Sequence, residues 1–360
     1  MKKTFALILV IVLAITVAAI GIGCKTATAG ETTTAATAAE VTAAEETTAE
    51  EVVAGEGGRF EGINIWFDTG GPEGNPWSAI LINGIRDAEK DLGCKITMTF
   101  GDWSPEGMIT SFKNAVASSP DGIVIFGAPG DEAWMPLVDD AISKGIIVTS
   151  LNSNLPGLEA KYASKGFGYV GAELYAAGFM LGKAAVERGG LKSGDRGMVW
   201  GLLSQPARGE RTRGCVEALE EAGVIVDYLE ISPDVNADPT LGISVFAGYV
   251  SANPDVKVVI TDHGALTGTL EAYIKGAGKG PDDIYAAGFD LSPAIVSQIN
   301  SGYIDLVGDQ QPYLQGYLPV FQICVAKALG LSGLHIDTGA GLVDKSNVDI
   351  VGPMAEQGLR

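Results

Sequence analysis

Eight residues of this chain have side chains suited to holding a small polar molecule: Asn75, Trp77, Trp103, Asn152, Arg211, Asp262, Asp290 and Gln310. Each lies just beyond a short apolar run. Carboxylates and amides accept from and donate to hydroxyl groups, and a guanidinium offers a planar fork of N–H donors. An indole offers a flat apolar face to the C–H groups of a sugar ring. The set therefore suits a polyhydroxylated ligand held without covalent chemistry. Taken one at a time, each has a plainer use. Asp262 or Asp290 could cap the following helix, Arg211 could form a surface ion pair, and Trp77 or Trp103 could be core. The shared placement is what points to a site.

Catalytic and metal signatures are missing from the sequence. No Gly-x-Ser-x-Gly elbow occurs, and no Gly-x-Gly-x-x-Gly follows a predicted strand with a suitable acid downstream. The only histidines are His263 and His335, and no Cys/His cluster has ligand spacing. His263 is the one candidate general base near the proposed site, and a hydrogen bond to ligand or backbone is the better use for it. No enzyme activity, cofactor or metal is expected. The formal charge of −20 and the lack of any Lys/Arg run argue against nucleic acid.

The elements that must position these residues are legible in the hydrophobic pattern. Short apolar runs at Ile63–Phe67, Lys95–Phe100, Gly122–Phe126 and Gly145–Ser150 predict strands. Amphipathic stretches at Trp77–Leu92, Glu106–Ser118 and Glu132–Lys144 predict helices between them. The cycle restarts with the strand Gly166–Val170, which leads into a helix at Ala172–Arg188, and strands follow at Gly197–Trp200, Val224–Ile231, Val256–Ile260 and Ile284–Phe289. Helices are predicted near Thr212–Ala222, Thr240–Ala252, Leu266–Lys275 and Pro293–Ser301. A last strand, Ile304–Gly308, and a helix, Tyr313–Leu329, complete the pattern. Such alternation describes an α/β protein with two doubly wound parallel sheets. Ligands of open parallel sheets bind beyond the carboxyl ends of the strands. Those positions carry Asp68 to Trp77, Asp102-Trp103, Asn152-Ser153-Asn154, Ser204 to Arg211, Asp262-His263, Asp290 and Asp309-Gln310-Gln311.

Four of these stretches, in order, resemble motifs of the sugar-binding proteins of ATP-binding-cassette importers, of the ribose-binding type (periplasmic binding protein type 1). They are Asn75-Pro76-Trp77, Glu210-Arg211-Thr212-Arg213-Gly214, Ala287-Gly288-Phe289-Asp290 and Asp309-Gln310-Gln311-Pro312. The resemblance spans Gly62 to about Ile350. It implies two lobes joined by a three-crossing hinge, with residues 59–170 plus 311–336 in the first and 171–310 plus 337–360 in the second. It implies that Arg211 grips a sugar, Asp290 takes ring hydroxyls and Gln310 contacts ligand from the hinge. It further implies a monomer that closes on its ligand and is read by a membrane permease. Departures from the pattern point away from ribose toward another pentose, a hexose or a sugar alcohol. Leu151-Asn152-Ser153 stands where Leu-Asp-Arg is usual, Asp262-His263 where Asn-Asp is usual, and no aromatic occurs near Asn236–Asp238. A nucleoside, amino acid or signalling molecule, with Trp77 and Trp103 sandwiching a base, is the alternative, as is service to a chemoreceptor. Sugar-responsive repressors share the fold, but they carry a helix-turn-helix ahead of the first lobe.

The N-terminal region is of a different kind. Lys2 and Lys3 precede an apolar run from Phe5 to Ile20, small residues and Cys24, which resembles a bacterial lipoprotein signal cleaved before an acylated cysteine. Gly21 stands where such signals usually carry Leu. The other reading is that the run remains as a membrane anchor. Either way the folded part, beyond a Thr/Ala/Glu-rich tether at residues 25–58, is expected to work outside the cytoplasm. Cys94, Cys215 and Cys324 are read as small buried hydrophobes.

Overall fold

The structure, a computed structural model, describes residues 58–360; the expected signal, Cys24 and nearly all of the tether lie outside them. Two six-stranded sheets organise the described chain. The first contains β1 (Asn64–Asp68), β2 (Lys95–Thr99), β3 (Gly122–Phe126), β4 (Ile147–Leu151), β5 (Tyr169–Gly171) and β11 (His335–Asp337), in the order β11-β5-β4-β3-β1-β2, all parallel. The second contains β6 (Arg196–Gly201), β7 (Ile225–Glu230), β8 (Val256–Thr261), β9 (Tyr285–Phe289), β10 (Leu306–Asp309) and β12 (Gly341–Asp344), in the order β12-β10-β9-β8-β6-β7. Only β12 runs antiparallel there, against β10.

Central strands read as continuous apolar runs because helices cover both faces. All five residues of β3 (GIVIF) are buried, whereas the edge strands β2 and β7 are only half-buried. The first lobe's helices are α1 (Pro76–Leu92), α2 (Pro105–Ser118), α3 (Asp131–Ser143) and α4 (Pro156–Tyr162). The second lobe carries α5 (Leu174–Gly189), α6 (Glu210–Glu221), α7 (Pro233–Ala237), α8 (Gly242–Ala252), α9 (Gly264–Thr267), α10 (Leu270–Gly276) and α11 (Pro293–Ser301). Then α12 (Pro312–Leu329) returns to pack on α1, and α13 (Val348–Glu356) packs on α11. Asn75 and Ser104 start α1 and α2 by capping, each followed by Pro at the first helical position. The first lobe's core joins Phe67, Leu81, Ile85, Trp134, Phe167 and Ile323; the second has one core on each face of its sheet, around Trp200 and Tyr273 and around Leu181 and Phe289. Cys94, Cys215 and Cys324 are buried and unpaired.

The structure departs from the pattern in a few elements. The single helix predicted at Leu266–Lys275 is two, α9 and α10, and the one predicted from Thr240 begins at Gly242 after a 3-10 turn. The elements α4, α7, β11, β12 and α13 carry no prediction.

The chain passes between the sheets three times: from β5 to α5, from β10 to α12 and from β11 to β12. Thr338 ties the three crossings together. Its N–H donates to the Gly171 carbonyl (2.9 Å) and its hydroxyl to the Gln310 carbonyl (2.7 Å). Its carbonyl accepts from Gln311 Nε2 (2.9 Å).

Candidate functional site

The loops at the carboxyl ends of the strands turn unusually sharply. Asp102 (φ 46°) and Trp103 (φ 58°) after β2, Asn152 (φ 65°) after β4, Asp290 (φ 75°) after β9 and Gln311 (φ 54°) after β10 are all left-handed. Few non-glycine residues adopt this conformation, and Asn and Asp tolerate it best. Such residues cost on the order of 1 kcal/mol or more each and gather at functional sites. Three of the eight predicted residues, Trp103, Asn152 and Asp290, are among them.

Between the lobes lies a cavity of about 90 Å³ open to the centres of water molecules. Seven of the eight predicted residues line it: Asn75, Trp77, Trp103, Asn152, Arg211, Asp290 and Gln310. Asp262 does not. Its carboxylate stands behind the wall, bonded to Arg208 and to Thr212 Oγ1 (2.9 Å). The reason is a residue that the sequence places in the right loop but does not single out: Arg208 lines the cavity and takes Asp262 as counter-ion. His263, expected to hydrogen-bond to ligand or backbone, lines it too, as do Phe126, Met108, Gln205 and Asn236, which the sequence does not single out as ligand contacts. Phe126, at the carboxyl end of β3, had a signal in its position.

The first lobe contributes an apolar wall. Trp77, Trp103 and Phe126 pack on one another with centroids 5.7–6.0 Å apart and planes tilted by 58–80°. The loop after β1 lets them do so: a Cβ at Gly70 would lie 2.3 Å from the Phe126 ring, and one at Gly71 would lie 2.2 Å from Trp103. Because Trp77 and Trp103 are tilted and in contact, they cannot sandwich a base between them. Trp77 Nε1 is buried with no hydrogen-bond partner.

The second lobe contributes a charged wall. Arg211, 1 % exposed, stacks over Phe289 at 4.5 Å and donates to the Asp262 carbonyl (3.2 Å) and Gln310 Oε1 (2.8 Å). Burial, with Arg208 adding to it, pushes its pKa down to about 10, so it stays charged at neutral pH. Burial pushes Asp262 up, but Arg208 and Arg211 outweigh it and hold the carboxyl below its usual range. Asp290 is raised, because burial there exceeds the help of Arg211 and Gln310. Its Oδ2 accepts from Gly264 N (2.7 Å) and its Oδ1 from Gln310 Nε2. Burial pushes His263 down to about 4, leaving a neutral ring paired with Asn236 Oδ1 (3.0 Å). Two guanidiniums face two carboxylates, so the formal charges cancel and the wall asks for a neutral, hydrogen-bonding ligand.

Gln310 joins the walls to the hinge. Its Oε1 accepts from Arg211 in one lobe and from Asn152 Nδ2 (3.2 Å) in the other, and its backbone carbonyl accepts from Thr338 and from Gln315 Nε2 (2.9 Å). Asn152 Oδ1 and Arg211 Nε are buried with no partner. With Trp77 Nε1 they are buried, unpaired polar atoms on three residues that line the cavity, and buried polar groups are rarely left unpaired.

A family model described as "Periplasmic binding protein domain" matches residues 71–328. Among curated proteins the chain is 28% identical over 303 residues to the xylose/arabinose-binding protein XylF of Sulfolobus acidocaldarius, covering 77% of this chain and 73% of that one. Among solved structures it superposes on a carbohydrate transporter of Acidothermus cellulolyticus in complex with myo-inositol. That likeness has a TM-score of 0.71 and 23% identity, and covers 83% of this chain and 99% of the other. It also superposes on a solute-binding protein of Burkholderia graminis in complex with D-arabinose, with TM-score 0.70, 19% identity, and 81% and 98% coverage.

Proposed function

The chain belongs to the periplasmic binding protein domain family, and on that premise we propose that it captures one neutral monosaccharide or polyol between its lobes and delivers it to a membrane ABC permease. The observation that carries the ligand class is the polar lining of a charge-balanced cavity: the side chains of Arg208 and Arg211 carry donors, that of Asp290 carries acceptors, and the amides of Asn152 and Gln310 carry both. Hydroxyl groups donate and accept at once. The aromatic wall suits the C–H face of the same ring. The similar proteins named for xylose and arabinose, or solved with myo-inositol or D-arabinose, support a pentose or a cyclic polyol. The N-terminal pattern supports a receptor lipid-anchored through Cys24 outside the cytoplasm, where an acidic tether would keep a monomer near its permease.

Calorimetric titration of the purified full-length chain in detergent against pentoses, hexoses, polyols and nucleosides tests this. One sugar or polyol should bind saturably. Asp290→Asn, which keeps the shape and tolerates the left-handed backbone, should weaken it about 10-fold or more, the scale of one charge-assisted hydrogen bond. Saturable binding of a nucleoside alone, or an Asp290→Asn protein with full affinity for the sugar, would overturn the reading.

A further inference from the structure

The amino end of the first sheet, opposite the cavity, carries an apolar surface. Between α12 and β11 the backbone passes through Leu329, Leu331 and Leu334, which are 52, 51 and 49 % exposed. Exposed leucines are ordinary one at a time, but three this close in sequence form a patch. Their backbone is pinned. Gly333 N donates to the Ala163 carbonyl (2.9 Å), Leu334 N donates to Gln322 Oε1 (2.8 Å), and the Leu334 carbonyl accepts from Tyr169 N (2.9 Å). The surroundings are basic. No carboxylate occurs from Gln310 to Ile336, in a chain with 44 Asp and Glu and a formal charge of −20. Three exposed lysines belong to the same end: Lys327 in the last turn of α12, Lys144 ahead of β4, and Lys165. Lys165 precedes Gly166, whose Cβ would lie 4.0 Å from the Leu331 carbonyl oxygen. Lys327 and Lys144 are paired with Asp121 (2.8 Å) and Asp140 (2.6 Å). The described chain also begins here. Gly58 sits against Gly93 just ahead of β2, and Phe60 N donates to the Leu92 carbonyl (3.0 Å). Because the sheet is wholly parallel, the amino ends of β1, β2, β4, β5 and β11 share one pole. Asp121 ties it together, pairing with Lys327 and accepting from Asn64 N (2.9 Å) at the start of β1.

We infer that this pole rests on a phospholipid bilayer, with Leu329, Leu331 and Leu334 in the headgroup layer and Lys144, Lys165 and Lys327 against the phosphates. This rests on the proposed anchoring of the chain ahead of residue 58. A chain anchored there enters the folded part at the pole that carries the leucines, so anchor and patch lie on one side. A tethered contact needs little affinity of its own, because tethering sets a high local concentration. Apolar side chains flanked by cations suit the membrane surface, where binding scales with buried apolar area and with attraction to anionic lipid. Lysine stems lie along apolar surface while the ammonium reaches a phosphate. Two copies of the chain meeting patch to patch would instead set lysines against lysines, which favours lipid as the occupant. The cavity lies at the carboxyl ends of the same strands, so the contact leaves it open to solvent and ligand.

The test uses the full-length chain reconstituted in vesicles of phosphatidylcholine and phosphatidylglycerol, with brominated phosphatidylcholine to quench tryptophan fluorescence. Leu331→Trp puts a reporter in the patch. Leu241→Trp puts one at an equally exposed leucine of the second lobe, and wild type gives the baseline of the native tryptophans. The reporter at position 331 should shift to the blue and be quenched by the brominated lipid; the one at position 241 should do neither. Adding Leu329→Ser and Leu334→Ser to Leu331→Trp should remove most of the quenching, and vesicles without phosphatidylglycerol should weaken it. Melting temperatures should match wild type, since every substituted side chain is exposed. Equal quenching of the two reporters overturns the inference, because a tether alone makes no distinction between them. Quenching that survives the serine substitutions overturns it as well. A blue shift that grows with protein density and comes without quenching would assign the patch to a second copy of the chain, against the inference. If the chain does not float with the vesicles, the anchoring reading falls and the inference with it; flotation without quenching sinks the inference alone.

Discussion

At Gly264 a single missing methyl group decides whether Asp290 can sit in the wall. Its N–H donates to Asp290 Oδ2 at 2.7 Å, and a Cβ there would lie 2.7 Å from the same oxygen, closer than real contacts allow. Gly264→Ala should therefore push the carboxylate off its place and weaken ligand binding by about 10-fold. Gly264 is the first residue of the four-residue α9, so alanine gains there only part of the about 1 kcal/mol that it gains over glycine in a helix interior. Titration and thermal melting read the two effects apart: affinity should fall while the melting temperature stays close to that of the wild type. Residue chemistry was the part of the site most legible in the sequence, because strand ends of a parallel sheet are ligand positions whatever the ligand. Asp262 shows the limit of that reasoning. Whether a buried carboxylate meets ligand or a neighbouring guanidinium depends on the path of the loop that carries Arg208, and no periodicity encodes a loop path. Asn236 was passed over for the same reason, since its pairing with His263 joins α7 to the loop after β8.

The elements were legible where burial is deep and obscure where it is shallow. β3 is buried along its whole length and reads as an unbroken apolar run, and β8 reads as one interrupted only by the exposed Lys257 before its closing Thr261. β11 is three residues long and only its central Ile336 is even partly buried, so its side chains carry no alternation to read. α13 has Pro353 in its interior, a residue that ordinarily argues against a helix. Yet β11 carries the most informative surface cluster of the hinge. His335 Nδ1 lies 2.9 Å from both carboxylate oxygens of Glu159 on α4, and its Nε2 lies 2.7 Å from Glu173 Oε1, just ahead of α5. Tyr169 of β5 packs on its ring at 5.0 Å, and Asp337 accepts from the Glu173 N–H close by. A neutral imidazole has one N–H to give, whereas this geometry uses two. Burial pulls the pKa of His335 down, but the bonds to Glu159 and Glu173 outweigh it and leave it above the ordinary 6.5. A raised folded-state pKa contributes stability that is fully present below the unfolded value and is lost as pH rises through the folded one. The melting-temperature difference between wild type and His335→Gln should thus be largest below about pH 6.5 and shrink above it. A difference that stays constant with pH would mean that the clamp does not titrate.

At the scale of the whole molecule, the question is what holds the two lobes together around an aqueous cleft. A Cβ at Gly130, in the loop before α3, would lie 3.8 Å from Pro206 Cβ across the cleft, so the lobes stand close in this conformation. Few side chains bridge the lobes from inside. Gln310 is the central one, accepting from Asn152 on one side and Arg211 on the other while donating to Asp290. Swinging the lobes apart about the crossings moves Asn152 away from Arg211 and Asp290, so the three bonds can hold together only in the closed form. Replacing Gln310 by Ala removes that preference and leaves buried partners unpaired, at about 1–3 kcal/mol for each such group. The open form, which lets water reach those groups, is penalised far less. Binding is then weakened in proportion to the closed fraction that remains, since apparent affinity scales with the population of the competent state. Ligand still favours closure, but only through its own contacts with both lobes. Small-angle scattering should therefore show a larger radius of gyration for ligand-free Gln310→Ala than for wild type. Saturating sugar should bring the two values together, with the variant needing about 10-fold more of it. Identical ligand-free values with an unchanged dissociation constant would assign closure to contacts other than Gln310.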